Sequence, residues 1–177
     1  MATSSTDKTD AIALLKADHR EAEDLFAKFE AAAGAAKKQG LAQKICTALT
    51  VHTIIEEEIF YPACNGAVEG ALLKEAYVEH DGAKVLVAEI EAGGPDDKFY
   101  DAKVKVLSEM IEHHVEEEEQ RVEGMFAQAR KGGVDVVALG ERMAAEKQEL
   151  TARYKSGGLP TPATPTFSAT AIGQPSA

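Results

Sequence analysis

Between Asp10 and Lys155 the apolar residues recur at spacings of three and four, and nothing in that stretch alternates as a strand would. That period restricts the chain to amphipathic helices. Breaks at Gly34 to Gly40, Pro62 to Gly70, Gly93-Gly94-Pro95 and Gly132-Gly133 divide it into segments of roughly 10–33, 41–61, 70–92, 96–131 and 134–155. Four consecutive long helices with short connections predict an all-α, up-down-up-down four-helix bundle over 10–131, with an additional helix at 134–155 packed outside it. Residues 1–9 form a polar N-terminal segment. Residues 156–177, rich in Pro, Thr, Ser and Ala and free of charged side chains, read as a flexible tail, with Phe167 and Ile172 as candidates for docking.

Written out, each stripe carries a histidine. The first runs Ile12, Leu15, His19, Ala22, Phe26, Phe29, and the second Ile45, Leu49, His52, Glu56, Ile59. The third is Leu73, Ala76, His80, Ala83, Val87, Ile90, and the fourth Val104, Leu107, Ile111, His114, Glu118, Val122, Met125. One histidine on a core stripe is ordinarily a hydrogen-bonded core residue. One on each of four stripes, joined by Glu56 and Glu118, is a different arrangement. An ionised carboxylate costs several kcal/mol to bury unless positive charge accompanies it, and no Lys or Arg lies on these stripes. A metal supplies the charge and engages the imidazoles as well. In His52-x-x-x-Glu56 and His114-x-x-x-Glu118 a nitrogen and an oxygen donor stand one turn apart on one helix face.

His19, His52, Glu56, His80, His114 and Glu118 therefore amount to a candidate ligand set of four imidazoles and two carboxylates, enough for two metal ions with the glutamates shared. Such N/O donors suit iron better than a structural zinc, which favours Cys and four ligands. Cys46 and Cys64 are not in CxxC spacing, HExxH is absent, and three residues before each histidine there is no Glu of the ferritin-like pattern. His113 competes with His114; periodicity favours His114. The acidic runs Glu56–Glu58 and Glu116–Glu119 read mostly as solvated faces. Phe26, Phe29, Phe60 and Phe126 read as dry core, and Tyr61-Pro62 as the end of the second helix. Asp18 and Glu79, each beside a histidine, point to other faces and read as poor supports for the site.

Composition narrows the partners. With 30 Asp+Glu against 19 Lys+Arg the net charge is -11, which argues against nucleic acid or anionic lipid. No stretch approaches a membrane span. The polar start lacks an apolar run behind a basic residue, so the expected location is cytoplasmic. The two cysteines, 18 residues apart, are expected to be reduced.

The pieces LLKADHREAEDLFAKFE, VHTIIEEEIFYPA, YVEHDGAKVLVAEI and MIEHHVEEEEQ, in that order, resemble the hemerythrin-like HHE cation-binding family. The resemblance covers about residues 10–131. It implies a four-helix bundle holding two non-haem iron ions joined by an oxo or hydroxo bridge, with His19, His52, Glu56, His80, His114 and Glu118 as ligands. Family members bind dioxygen, sense oxygen, redox state or iron, or handle peroxide and nitric oxide. Oxygen carriers use a fifth histidine four residues from that of the third helix. Here Ala76 and Lys84 occupy those offsets, leaving a water, Glu23, Glu57 or Tyr77 to fill the place. After the EEEE run, QRVEGMFAQA is longer than the family pattern, with Gly124 as a weak point for a turn or bulge. Three classes follow: a binding protein for a small diatomic ligand, a peroxide-disproportionating enzyme, and a regulator acting through its fifth helix and tail. An electron donor or a regulatory protein would be the further partner, and a structural or zinc-binding protein is the alternative outside these.

Overall fold

The computed structural model describes residues 10–168. Its helices are α1 (Ala11–Glu30), α2 (Ala35–Ile55), a π segment (Glu56–Phe60), α3 (Tyr61–Cys64), α4 (Gly70–Gly93), α5 (Tyr100–Glu119), α6 (Met125–Lys131) and α7 (Val136–Gly157). No strand occurs among the described residues; the nearest thing is an isolated bridge between Asn65 and Val68. The helices α1, α2, α4 and α5 build the bundle, and α7 lies against α1 and α2. The α1 start is capped by Asp10, whose side chain accepts from the Ala13 N–H at 2.9 Å, and Asp135 caps α7 in the same way.

Three helix boundaries depart from the sequence reading. The α2 helix begins at Ala35 and runs through Gly40, because Ala35, Ala36, Lys37, Lys38 and Gln39 are strong helix formers that outweigh one interior glycine. Pro62 does not end the second helix: a π segment precedes it and helix continues to Cys64. The expected 96–131 helix is broken. The α5 helix stops at Glu119, Gln120 turns out of helical geometry at ψ 131, and Gly124 N-caps α6. A Cβ on Gly124 would lie 2.5 Å from the Gln120 carbonyl oxygen, so only glycine fits there. Consequently Val122, placed on the core stripe by counting, is 80% exposed, whereas Met125 and Phe126 are buried.

The core is two apolar clusters with a polar layer between them. One gathers Leu15, Val51, Ile55, Phe60, Tyr61, Leu73 and Ala76 with Met125, Phe126, Leu139, Met143 and Leu150. The other gathers Phe26, Phe29, Ile45, Leu49, Ala83, Ile90, Tyr100 and Leu107. In α1, α2 and α4 the histidine stands where the helix passes from one cluster to the other, and in α5 His114 follows the last residues of the second cluster, so all four meet in the layer between. Cys46 and Cys64 are free and buried. The segment after α7, expected to be unattached, is seated on the bundle: Leu159 packs on the second cluster and Thr166 bonds to Asp81. Residues 1–9 and Ile172 lie outside the described residues.

The glycines give opposite expectations. Gly40→Ala meets nothing within 4 Å and should raise stability by about 0.5–1 kcal/mol. Gly124→Ala should lower it by about 1–3 kcal/mol through the clash with Gln120. Urea denaturation of the two variants beside the unsubstituted protein measures both.

Candidate metal centre

At the polar layer the structure brings together all six side chains singled out from the stripes. His19, His80 and His114 are each 2% exposed, Glu56 0% and Glu118 1%. Glu56 is the hub. Its Oε2 lies 3.1 Å from His52 Nε2 and 3.3 Å from His80 Nε2, and 4.0 Å from His114 Nε2. Glu118 reaches across in the same way, with Oε2 3.3 Å from His19 Nε2 and Oε1 3.7 Å from His114 Nε2. The donors thus fall into two groups, His19 with His52 and His80 with His114, and both glutamates face both groups. The donor atoms of His19, His52, Glu56 and Glu118 lie within 4.8 Å of one another, as do those of Glu56, His80 and His114. His113 is 61% exposed and meets Glu79 and Glu117 on the surface, so His114 is the interior histidine.

Tyr61 is the interior residue that counting by the α-helical period misses. Its hydroxyl lies 3.2 Å from Glu56 Oε2, 3.0 Å from Glu118 Oε1 and 3.2 Å from His80 Nε2. The π segment puts it there. The Tyr61 N–H bonds to the Glu56 carbonyl, five residues back, so Tyr61 rather than Phe60 stacks above Glu56. Pro62 is the signal in the sequence: it cannot donate to the Glu58 carbonyl and would clash with it in a regular α-helix. The other three side chains considered for that place are elsewhere. Glu23 is exposed and pairs with Arg20, Glu57 contacts the outer nitrogen of His80, and Tyr77 packs its ring edge on Tyr61 at 5.3 Å.

Each clustered histidine has its outer nitrogen, Nδ1, backed by a carboxylate. Glu119 is 2.8 Å from His19, Asp18 3.5 Å from His52, Glu57 3.1 Å from His80 and Glu79 2.7 Å from His114. The Asp18 and Glu79 expectation is corrected by this. Each does point away from its neighbouring histidine, by the roughly 100° that one residue turns on a helix, and that direction faces the histidine of the adjacent helix. Cations follow outside: Arg20 and Lys16 on Glu119, Lys147 on Asp18, and Lys84 on Glu57.

Three buried side-chain atoms have no hydrogen-bond partner among the described residues: His19 Nε2, Glu56 Oε1 and Glu118 Oε2. All three belong to this cluster. Unsatisfied buried polar atoms cost about 1–3 kcal/mol each, and three in one place fit a bound cation that would take their lone pairs. A cavity of about 820 Å³ connects the cluster to the surface, with His19, His52, His80 and His114 at its buried end and Lys44, Tyr154 and Leu159 among the residues lining it farther out.

The charges are set to match. Burial disfavours the His52 cation, but the Glu56 carboxylate and then Asp18 outweigh it and raise the imidazole to about 10. His80 rises to about 8, against burial, through Glu56 and Glu57. Against its own burial, Glu56 is held well below the usual carboxylate range by His52 and His80. Burial, with Glu118 and Glu56 nearby, drives the Tyr61 phenol well above its usual value.

Without metal, protons on these imidazoles stabilise the buried carboxylates. A histidine whose folded value is raised contributes stability that is complete below about 6.5, its unfolded value. That stability is lost as pH rises through the folded value. The metal-free protein should therefore lose stability from about pH 6.5 towards 10, where His52 titrates. A metal must displace those protons, so uptake should release them and tighten with pH over the same window. Urea denaturation of the metal-free chain and pH-stat titration during loading measure the two effects.

Residues 10–126 match the hemerythrin HHE cation binding domain family. A DNA nickase of Nostoc sp. (strain PCC 7120) is 28% identical over 106 residues, 60% of this chain, and the chain covers 30% of the nickase. The crystal structure of a hemerythrin HHE cation binding domain-containing protein from Mycobacterium kansasii shares the fold, with a TM-score of 0.70 and 21% identity over 85% of this chain and 94% of that one. The family match spans more than half of the sequence and contains every helix that contributes to the His/Glu cluster, and the chain belongs to the hemerythrin HHE cation-binding domain family.

Proposed function

We propose that this protein holds two non-haem iron ions between its two histidine pairs and uses them to bind or react with dioxygen, peroxide or nitric oxide. The observation that carries the reading is the set of buried atoms without a hydrogen bond on His19, Glu56 and Glu118, inside a cluster where, among the described residues, no Lys or Arg reaches the two inner carboxylates. His19 and His52 would hold one ion, His80 and His114 the other, and Glu56 and Glu118, each facing both pairs, would be shared. Tyr61 is placed to add an oxygen donor on the His80 side, where oxygen carriers use a further histidine. Iron supplies electrons and an open coordination position; the chain supplies geometry, dry walls and a route from solvent.

An oxygen donor in place of an imidazole makes the set richer in oxygen and favours redox chemistry or sensing over reversible carriage. The acidic composition argues against a polyanionic substrate, and the activity named for the Nostoc relative belongs to a protein of which this chain covers 30%.

Metal analysis of anaerobically purified protein, with optical spectra before and after oxygen, tests the proposal. Two irons per chain and a spectral change on oxygenation are expected; one zinc and no spectrum would overturn it. Glu56→Ala should lose at least one iron and abolish oxygen evolution from peroxide, the readout for the enzymatic form of the proposal. Chelation should lower the thermal midpoint markedly, because metal binding to the folded state is folding free energy.

A further inference from the structure

We infer that the chain beyond α7 is part of the support of the metal centre, with Thr166 a positioning residue for His80; this rests on the metal-binding reading above. Thr166 donates twice to Asp81 Oδ2, from its N–H at 2.7 Å and from its hydroxyl at 2.6 Å. The other Asp81 oxygen, Oδ1, accepts from Lys84 Nζ at 3.0 Å. Lys84 spans to Glu57, whose Oε1 it meets at 2.7 Å and Oε2 at 2.8 Å. Glu57 Oε1 backs His80 Nδ1 at 3.1 Å, and His80 Nε2 faces Glu56. An unbroken series of hydrogen bonds and ion pairs therefore runs from the C-terminal segment to one pair of inner donors.

Asp81 explains why the segment matters. It is 1% exposed although it sits beside an inner histidine on α4, and a buried carboxylate requires partners for both oxygens. Thr166 provides all the donors that Oδ2 receives among the described residues. With Oδ2 satisfied, Asp81 holds Lys84 in place from one side while Glu57 holds it from the other. Take away the hydroxyl and the Asp81 carboxylate is freer to turn, Lys84 loses a fixed anchor, and Glu57 loses the cation that orients it on His80. Carboxylates behind ligating histidines fix ring orientation and raise donor strength, and their loss typically costs about 10–100-fold in metal affinity.

The segment is built to stay in place. Pro160, Pro162 and Pro165 restrict its backbone, so less entropy is lost on seating it. Leu159 gives a second anchorage on the apolar cluster around Ile90 and Leu107. The opposite pair of donors has a separate outside support, since Lys147 of α7 pairs with Asp18 behind His52. Each histidine pair thus answers to its own element beyond the four bundle helices.

The test uses the full chain loaded with two equivalents of cobalt(II) and reads the release of each equivalent to a chelator from the cobalt absorption. Thr166→Val keeps the backbone donor and removes the hydroxyl. It should speed the release of one equivalent about tenfold and leave the other unchanged, while Thr166→Ser restores the unsubstituted rates. Lys147→Met should speed the other equivalent instead. By reciprocity, loading should slow hydrogen exchange at the Thr166 N–H, and less so in His80→Ala. Unsubstituted rates in Thr166→Val, equal acceleration of both equivalents, or no rescue by Thr166→Ser would each overturn the coupling. If the unsubstituted chain itself takes up no cobalt, the metal-centre reading fails first and this one with it.

Discussion

Two carboxylates at the centre of a dry bundle govern the rest of the structure. Glu56 and Glu118 have almost no access to solvent and lie between two apolar clusters whose one polar contribution to them is the Tyr61 hydroxyl. Without compensation each would cost several kcal/mol. What surrounds them is a series of shells of alternating character: imidazoles first, then Glu119, Asp18, Glu57 and Glu79, then Arg20, Lys16, Lys147 and Lys84. The raised His52 and His80 values belong to this pattern. In the absence of metal, protons occupy the role that a cation would take.

The shells also tie the helices to one another. Glu119 of α5 backs His19 of α1, Asp18 of α1 backs His52 of α2, Glu57 after α2 backs His80 of α4, and Glu79 of α4 backs His114 of α5. Every supporting carboxylate is the sequence neighbour of an inner donor on its own helix. Its angular offset of about 100° is what carries it to the next helix round the bundle. A sliding or rotation of any one helix by a single residue would disrupt its own donor and its neighbour's support together. Packing register and site geometry are therefore one constraint, not two.

The periodic parts of this arrangement are legible in the sequence. Stripes at three and four place His19, His52, His80 and His114 on the inner faces of their helices, and the same count separates Glu56 and Glu118 from their acidic runs, although Glu57 and Glu119 prove to be half-buried behind His80 and His19 rather than solvated. What escapes the count is whatever breaks the 3.6-residue period or lies off the stripe. Tyr61 is displaced onto the site by a π turn that Pro62 provokes, and Val122 swings out to solvent because Gly124 permits a turn that no other residue fits. Asp18 and Glu79 look misdirected when each helix is considered alone; their partners appear only once the helices are packed. Thr166 has no periodic signal at all, and only the burial of Asp81, a charged residue beside an inner histidine, hints that something must cover it.

The family match ends at residue 126, whereas part of the outer support of the His/Glu cluster lies after it. Leu139, Met143 and Leu150 of α7 seal the first apolar cluster, and Lys147 holds the carboxylate behind His52. Tyr154 and Leu159 line the cavity that leads to the histidines. Inner donors set which chemistry is possible; the outer shell and the route from solvent set which ligand arrives and how firmly each ion is held. Two bundles with the same inner donors but different C-terminal elements would then differ in metal retention and access rather than in the metal they favour. On that argument, α7 and the segment that follows it act on the His/Glu cluster from outside, through Lys147 behind His52 and Thr166 on Asp81, while the inner side chains set what can bind there.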